Sequence, residues 1–322
     1  MWPESSGPVL VLGVAAGVTG ILLLVATVVG FLGSLWWVFE LASNVRLQLA
    51  LGLIVIMIAL LAVRRWIPAT VAAIGAAVNL VLVVPLLIVE GPAAPAPGAD
   101  PVQITFFNTT FQADRGGVIA ELRGREDDIV VLASADDLWA RAFEGSDLEV
   151  VTGTHLDDRL QLLVLAREPG TIQVTVHRES DARQDHAVEL TVALDGRWIH
   201  VLTIHAISPR TPQRARQRDR SLEWAAAWAN SRESPVVVIG DLNVTPWSPL
   251  YRSLVDDTGL TDSQRHHGLA PSWPARLGRL GLPLDHVLHS PELMTVEREL
   301  GPSFGSNHRM LHTTLAPREP RS

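Results

Sequence analysis

The chain has no cysteine among its 322 residues, which excludes disulfides and thiolate metal sites and fits either side of a membrane. It has no G-x-S-x-G pattern and no phosphate-loop glycine pattern, so neither a serine hydrolase nor a nucleoside triphosphatase is indicated. No internal repeat is evident. The extreme N-terminus carries an acid, Glu4, and no base before Pro8, so the apolar stretch behind it lacks the basic opening of a signal peptide. Charge is also missing from three long runs: residues 8–33, 47–63 and 67–89 contain no Asp, Glu, Lys or Arg.

Those uncharged runs are the first positive signal. Helices of roughly 17–25 apolar residues, rising about 1.5 Å per residue, cross a hydrocarbon core of about 30 Å. The sequence therefore predicts a three-helix membrane anchor over 1–90, with a lipid bilayer as its partner. Arg64 and Arg65 form the tightest basic cluster and lie between the second and third runs. Basic turns stay in the cytoplasm, which puts the N-terminus inside, the 36–46 loop outside and everything after Glu90 outside. Residues 91–101 read as an extended Pro/Ala linker. Residues 1–90 balance three Glu with three Arg, so the whole net charge of -8 belongs to the chain from 91 onward. An acidic exported domain is poorly suited to non-specific nucleic-acid binding, which draws its affinity from phosphate neutralisation.

From 102 to 317 the pattern becomes short strands with intervening helices, followed by a tail over 318–322. Strands are expected at 102–107, 128–132, 148–152, 160–166, 171–177, 187–193, 198–205, 235–239, 284–289 and 310–315. Helices are expected at 117–125, 135–143, 212–230 and near 249–256, with Arg218 off the apolar stripe of the third. So many strands with few helices imply two packed sheets flanked by helices.

The clearest strand, Val236–Ile239, stops abruptly at Gly240-Asp241-Leu242-Asn243. Asp241 and Asn243, two apart, are expected on one face of the strand tip. An anionic oxygen beside a neutral amide suits a hard cation or an activated water. Other strand ends carry similar chemistry: Asn108 after the first, His205 closing another, Asp285 and His286 opening another, and Asn307-His308 before the last. Polar residues converging at strand tips build a site on a rigid scaffold.

The ordered set Phe107-Asn108, Thr203-Ile204-His205, Gly240-Asp241-Leu242-Asn243, Leu284-Asp285-His286 and Ser306-Asn307-His308 resembles the endonuclease/exonuclease/phosphatase superfamily, typified by deoxyribonuclease I. The flanks Thr245-Pro246-Trp247-Ser248 and Pro271-Ser272-Trp273-Pro274, with the N-terminal helices, are similar to a membrane-anchored bacterial branch that includes teicoplanin-resistance proteins. The resemblance implies a four-layer α/β/β/α sandwich and cleavage of a phosphoester dependent on Mg²⁺ or Mn²⁺. It assigns Asp241 to the attacking water and Asn243 to that water or a phosphate oxygen. His205 and His308 become donors to phosphoryl oxygens, and Asp285 fixes a site imidazole. Asn108, Asp241 and Asn307 fall at metal-side positions, and Trp247 and Trp273 at a substrate wall.

The chain departs from that pattern twice. The second family motif ends in a Glu that is the principal metal ligand, and the matching strand here ends Leu132-Ala133-Ser134. Asp136 and Asp137 are the candidate substitutes; otherwise they open a helix, where acids suit the dipole. The family's Ser-Asp-His appears as Ser306-Asn307-His308, which is expected to deprive His308 of an ionised partner. The function expected is a membrane-anchored phosphoesterase acting outside the membrane on a phosphorylated small molecule or lipid, with an eroded metal site. The alternatives are a non-catalytic descendant that binds a phosphate ligand or protein partner, and an extracellular nuclease.

Overall fold

The computed structural model describes residues 7–89, 95, 98–110, 112–156, 159–178, 186–194, 197–233 and 235–318. The expected linker lies largely outside the described residues, as does the tail beyond 318. The chain divides into two compact units, one of residues 1–87 with 245–252, the other of 88–244 with 253–322.

The first unit holds α1 (Gly7–Val29), α2 (Trp37–Ser43), α3 (Arg46–Ala62) and α4 (Trp66–Val83). Among the described residues two spans, Val9–Leu32 and Trp66–Leu87, are long and apolar enough to cross a membrane, with mean hydropathies of 2.7 and 2.3. The middle run is occupied by α3, which α2 precedes at an angle of 65°, and the number of candidate spans becomes three if that pair counts as one. Part of the expected 36–46 loop is therefore helix. Polar side chains inside the bundle satisfy one another: Asn79 Nδ2 donates to Thr27 Oγ1 (2.9 Å), and Arg46 Nη1 donates to the Thr27 carbonyl (2.8 Å).

The second unit contains two six-stranded sheets. In chain order its elements are β1 (Val102–Asn108), α5 (Arg115–Arg123), β2 (Ile129–Ala133), α6 (Asp137–Ala142), β3 (Glu149–Leu156), β4 (Arg159–Ala166), β5 (Ile172–Arg178), β6 (His186–Leu194), β7 (Arg197–His205) and α7 (Pro212–Asn230). There follow β8 (Val236–Asp241), α8 (Pro249–Thr258, which starts within 245–252), β9 (Thr261–Asp262), β10 (Asp285–His289), β11 (Leu293–Leu300) and β12 (Leu311–Pro317). One sheet runs β11-β12-β1-β2-β4-β3 and the other β5-β6-β7-β8-β10-β9.

Strand alternation builds the layers. Phe106, Val131, Val164, Val201, Ile239 and Leu311 are fully buried in a core shared by the two sheets. Their neighbours Phe107, Val130, Leu132 and Leu165 face the other way, into a second core with Leu122 of α5 and Trp139 of α6. Each fully buried Val, Leu, Ile or Phe contributes about 1.5–3 kcal/mol, so both faces of the first sheet are held. On the second sheet, Glu189 of β6 meets Trp228 and Arg232 at the end of α7. The result is the expected α/β/β/α sandwich.

Helix ends differ from expectation where a carboxylate decides them. Asp114 accepts from the Gly116 and Gly117 amides and starts α5 at Arg115. Asp136 accepts from Leu138 N and starts α6 at Asp137. Strands β9 and β11 were not anticipated; β11 buries Leu293, Thr295 and Arg298 and exposes Glu297 and Glu299.

Candidate active site

Two parallel pairings bring the polar strand ends together. β1 runs parallel to β2, and β7 runs parallel to β8 with His205 opposite Asp241. β10 lies antiparallel on the other side of β8, with Asp285 opposite Asp241. His205, Asp241 and Asp285 thus form one lateral row, and cross-strand neighbours share a face. Asn108, at the tip of β1 in the other sheet, meets them from across the sandwich. Gly240 is required by the same packing: its φ is 152°, and an added Cβ would overlap the Ile204 carbonyl of β7.

Asp241 is the hub and is 2% exposed. Its Oδ2 accepts from Asn108 Nδ2 at 2.9 Å and lies 3.6 Å from His308 Nε2 and 3.9 Å from His205 Nε2. Its Oδ1 accepts from the Asn243 amide at 3.0 Å. His308 donates through Nδ1 to Asp285 Oδ2 at 2.8 Å. Ser306 braces the turn, donating to the Asn108 carbonyl (2.7 Å) and accepting from His308 N (3.0 Å).

Burial and charge set the protonation states. Burial, reinforced by Asp285 and offset by His308 and two hydrogen bonds, pushes the Asp241 carboxyl up to about 7. For His308 burial opposes the charged form, but Asp285 and Asp241 outweigh it and raise the imidazole to about 9. His205 goes the other way, to about 4, through burial and the neighbouring His308 charge. The site therefore holds one imidazolium, one neutral imidazole and a carboxyl poised near neutrality.

Several expectations are corrected. His308 does not lack an ionised partner: Asp285 supplies one despite the neutral Asn307, whose own side chain is exposed. Asn243 does not share the strand face of Asp241, because it turns into left-handed backbone (φ 51°) and donates from Nδ2 to the Ala206 carbonyl at 2.9 Å. Ser134 ends its strand in left-handed backbone as well (φ 51°). Asp136 does not replace the missing Glu; it caps α6 and pairs with Arg115, while Asp137 is exposed on the first turn of that helix. Trp247 is buried in the first unit with its indole N–H on the Leu82 carbonyl (3.1 Å), which makes it a packing residue and not a substrate wall. Trp273 is half-buried, in a loop whose Ala275 amide donates to the Asn307 carbonyl (2.8 Å), beside the His308 turn.

Supporting residues escaped sequence reasoning. Arg218, expected off the buried stripe of α7, is fully buried and reaches the Asn243 carbonyl (3.4 Å). Ser272 Oγ accepts from Asp285 N (3.2 Å), and Arg298 donates to the Asp285 carbonyl (3.3 Å). Arg218 is one of four arginines in the first half of α7, so nothing in the sequence marks it as the buried one. The serines carry no signal either.

The donor set fits a divalent cation. Asp241, Asp285 and His308 come within 4.8 Å of one another, the one such group among the described residues; the protonated His308 leaves the two carboxylates as the ligands, and Asp285 Oδ1 is buried without a hydrogen-bond partner. Two buried carboxylates with an orphaned oxygen suit a hard cation, although the charge is lower than a Glu at 134 and an Asp at 307 would give.

The fold recurs in solved structures at identities too low to carry more than architecture. TDP2 of D. rerio, complexed with single strand DNA product, superposes with a TM-score of 0.55 at 13% identity, covering 67% of this chain and 99% of that one. An endonuclease/exonuclease/phosphatase from Beutenbergia cavernae gives 0.55 at 19% identity over 67% and 72% of the two chains. The human Nocturnin catalytic domain gives 0.54 at 16% identity over 70% and 100%. No curated protein matches in sequence. The sequence profile of the Endonuclease/Exonuclease/phosphatase family matches residues 105–308, more than half of the chain and every strand tip of the site. With its sandwich and its row of His205, Asp241 and Asp285, the chain belongs to the Endonuclease/Exonuclease/phosphatase family.

Proposed function

We propose that this chain is a membrane-anchored, divalent-metal-dependent phosphoesterase, of the branch that includes teicoplanin-resistance proteins. Its N-terminus lies in the cytoplasm, and its catalytic domain acts outside the cytoplasmic membrane on a lipid-linked or envelope phosphate. The observation that carries the reading is His308, held by Asp285 (2.8 Å) and facing Asp241 (3.6 Å).

Asp241 accepts the proton of the attacking water, and Asn108 holds its carboxylate in place. His308 keeps its proton and donates from Nε2 to a non-bridging phosphoryl oxygen as negative charge develops. Asp285 fixes that imidazole through Nδ1. His205 is the second donor when its proton sits on Nε2. Asp241, the free oxygen of Asp285 and Asn108 would hold Mg²⁺ or Mn²⁺, which would supply charge neutralisation at the phosphoryl group.

The test uses the full chain in nanodiscs, titrated with Mg²⁺ by calorimetry and assayed on bis-nitrophenyl phosphate and a polyprenyl pyrophosphate. Asp241→Ala should cost at least roughly a hundredfold in turnover, the usual worth of a positioned base. Absence of both metal binding and turnover at millimolar ion would refute the enzyme.

Ser134 and Asn307 favour a second reading, a descendant that binds a phosphate ligand without cleaving it. The double variant Ser134→Glu, Asn307→Asp separates the two. A gain in metal-dependent turnover identifies an eroded enzyme, and a gain in metal affinity alone identifies a binding protein.

A further inference from the structure

The turn that follows the catalytic strand is held residue by residue. Ala206 N donates to the Asp241 carbonyl (2.9 Å), and Leu242 N donates to the Leu284 carbonyl (3.0 Å). Asn243 is fixed by Asp241 Oδ1, the Ala206 carbonyl and Arg218. His286 Nε2 donates to the Val244 carbonyl at 2.9 Å.

The next anchor in this series comes from the helices. Thr245 belongs to the first unit, where its amide (2.9 Å) and its hydroxyl (2.8 Å) both donate to Asn44 Oδ1. Asn44, 6% exposed, follows α2 and is itself oriented by donating from Nδ2 to Glu40 Oε1 (2.9 Å). Thr245 and Ser248 are fully buried, and Trp247 donates to the Leu82 carbonyl of the helical unit. Gly33 leaves room for the Pro249 ring, which an added Cβ would approach to 3.1 Å. Two donors converging on one buried amide oxygen, backed by a buried carboxylate, form a built clamp, since every polar group there is satisfied within the protein.

We propose that Asn44 is a positioning residue for the reaction: through Thr245 it fixes the end of the turn that carries Asp241 and Asn243. The proposal rests on the phosphoesterase reading for its consequence in turnover, but the clamp itself is a statement about the chain. Asp241 and Thr245 are four residues apart, so freedom gained at Thr245 reaches the turn directly. Misplacement of a reacting group by about 1 Å can cost up to roughly a hundredfold in rate without weakening substrate binding.

The experiment compares full-length wild type, Asn44→Ala, Thr245→Val and Thr245→Ser in nanodiscs by hydrogen–deuterium exchange over 240–248 and by kcat and KM on bis-nitrophenyl phosphate. Asn44→Ala should speed exchange at 242–245 and lower kcat roughly tenfold with KM little changed. Thr245→Val should do the same in smaller measure, Thr245→Ser should behave as wild type, and the Asn44→Ala, Thr245→Val pair should be no worse than Asn44→Ala alone. Thr245→Val also keeps the test open if Asn44→Ala does not fold. Unchanged exchange in both variants, or faster exchange with kcat intact, would overturn the proposal. Wild type without turnover would refute the phosphoesterase reading instead, and exchange alone would then decide whether the clamp exists.

Discussion

At the scale of single residues, the second unit mixes groups whose protons respond to folding in opposite senses. His312 is 2% exposed, 2.6 Å from the Thr105 hydroxyl, and burial together with Arg125 lowers its imidazole to about 3. The folded chain refuses a proton that an unfolded His takes up near 6.5, so its contribution to stability is present above that value and fades as pH falls toward 3. Glu189 behaves similarly at lower pH: burial opposes its charge, but Arg232, Trp228 and His177 outweigh it and hold the carboxyl at about 2, so its contribution fades below 4.5. Asp241 and His308, both raised, act in the opposite direction, so the sign is best read as a difference. The gap in melting temperature between wild type and His312→Gln should be largest near pH 7.5 and shrink by pH 5. A gap that widens on acidification would contradict a neutral His312.

At the scale of elements, β8 lies so close to β7 that its last turn into the site admits only glycine. Gly240→Ala should destabilise the domain by about 3 kcal/mol or more, as a methyl meets backbone and the φ is one that L residues avoid. Urea unfolding measures it, and a loss under about 1 kcal/mol would mean that the strands can part. The elements themselves were mostly legible. Strong β-branched runs such as Val236–Ile239 announced their strands, and the Pro212–Asn230 helix falls on its expected bounds. β11 was missed because Glu297 and Glu299 mask a one-sided strand, and α2 because a seven-residue helix carrying Glu40 lies outside the uncharged runs. The strand-tip residues could be read because each polar group follows a hydrophobic run. What they touch could not: the Asp285–His308 contact joins a strand of one sheet to the turn that leads into a strand of the other, and the Arg218 contact depends on where a helix lies over a turn.

At the scale of the whole molecule, the absence of cysteine makes topology directly measurable, because any introduced thiol is unique. Arg65→Cys, between α3 and α4, should react with a membrane-impermeant maleimide only after cells are permeabilised, whereas Arg276→Cys, on an exposed loop of the second unit, should react in intact spheroplasts. The reverse pattern would invert the proposed orientation.

Asn108 ends β1 and His308 lies in the turn that leads into β12 of the same sheet, whereas Asp241 and Asp285 belong to β8 and β10 of the other. Every bond between these pairs is a stitch across the seam of the sandwich. The site has no existence within either half, so it is a gauge of how tightly the halves are closed. A slight parting of the sheets separates donor from acid while each sheet keeps its own ladder. Heat, pressure or a cavity in the shared core should therefore extinguish the chemistry before it melts the strands.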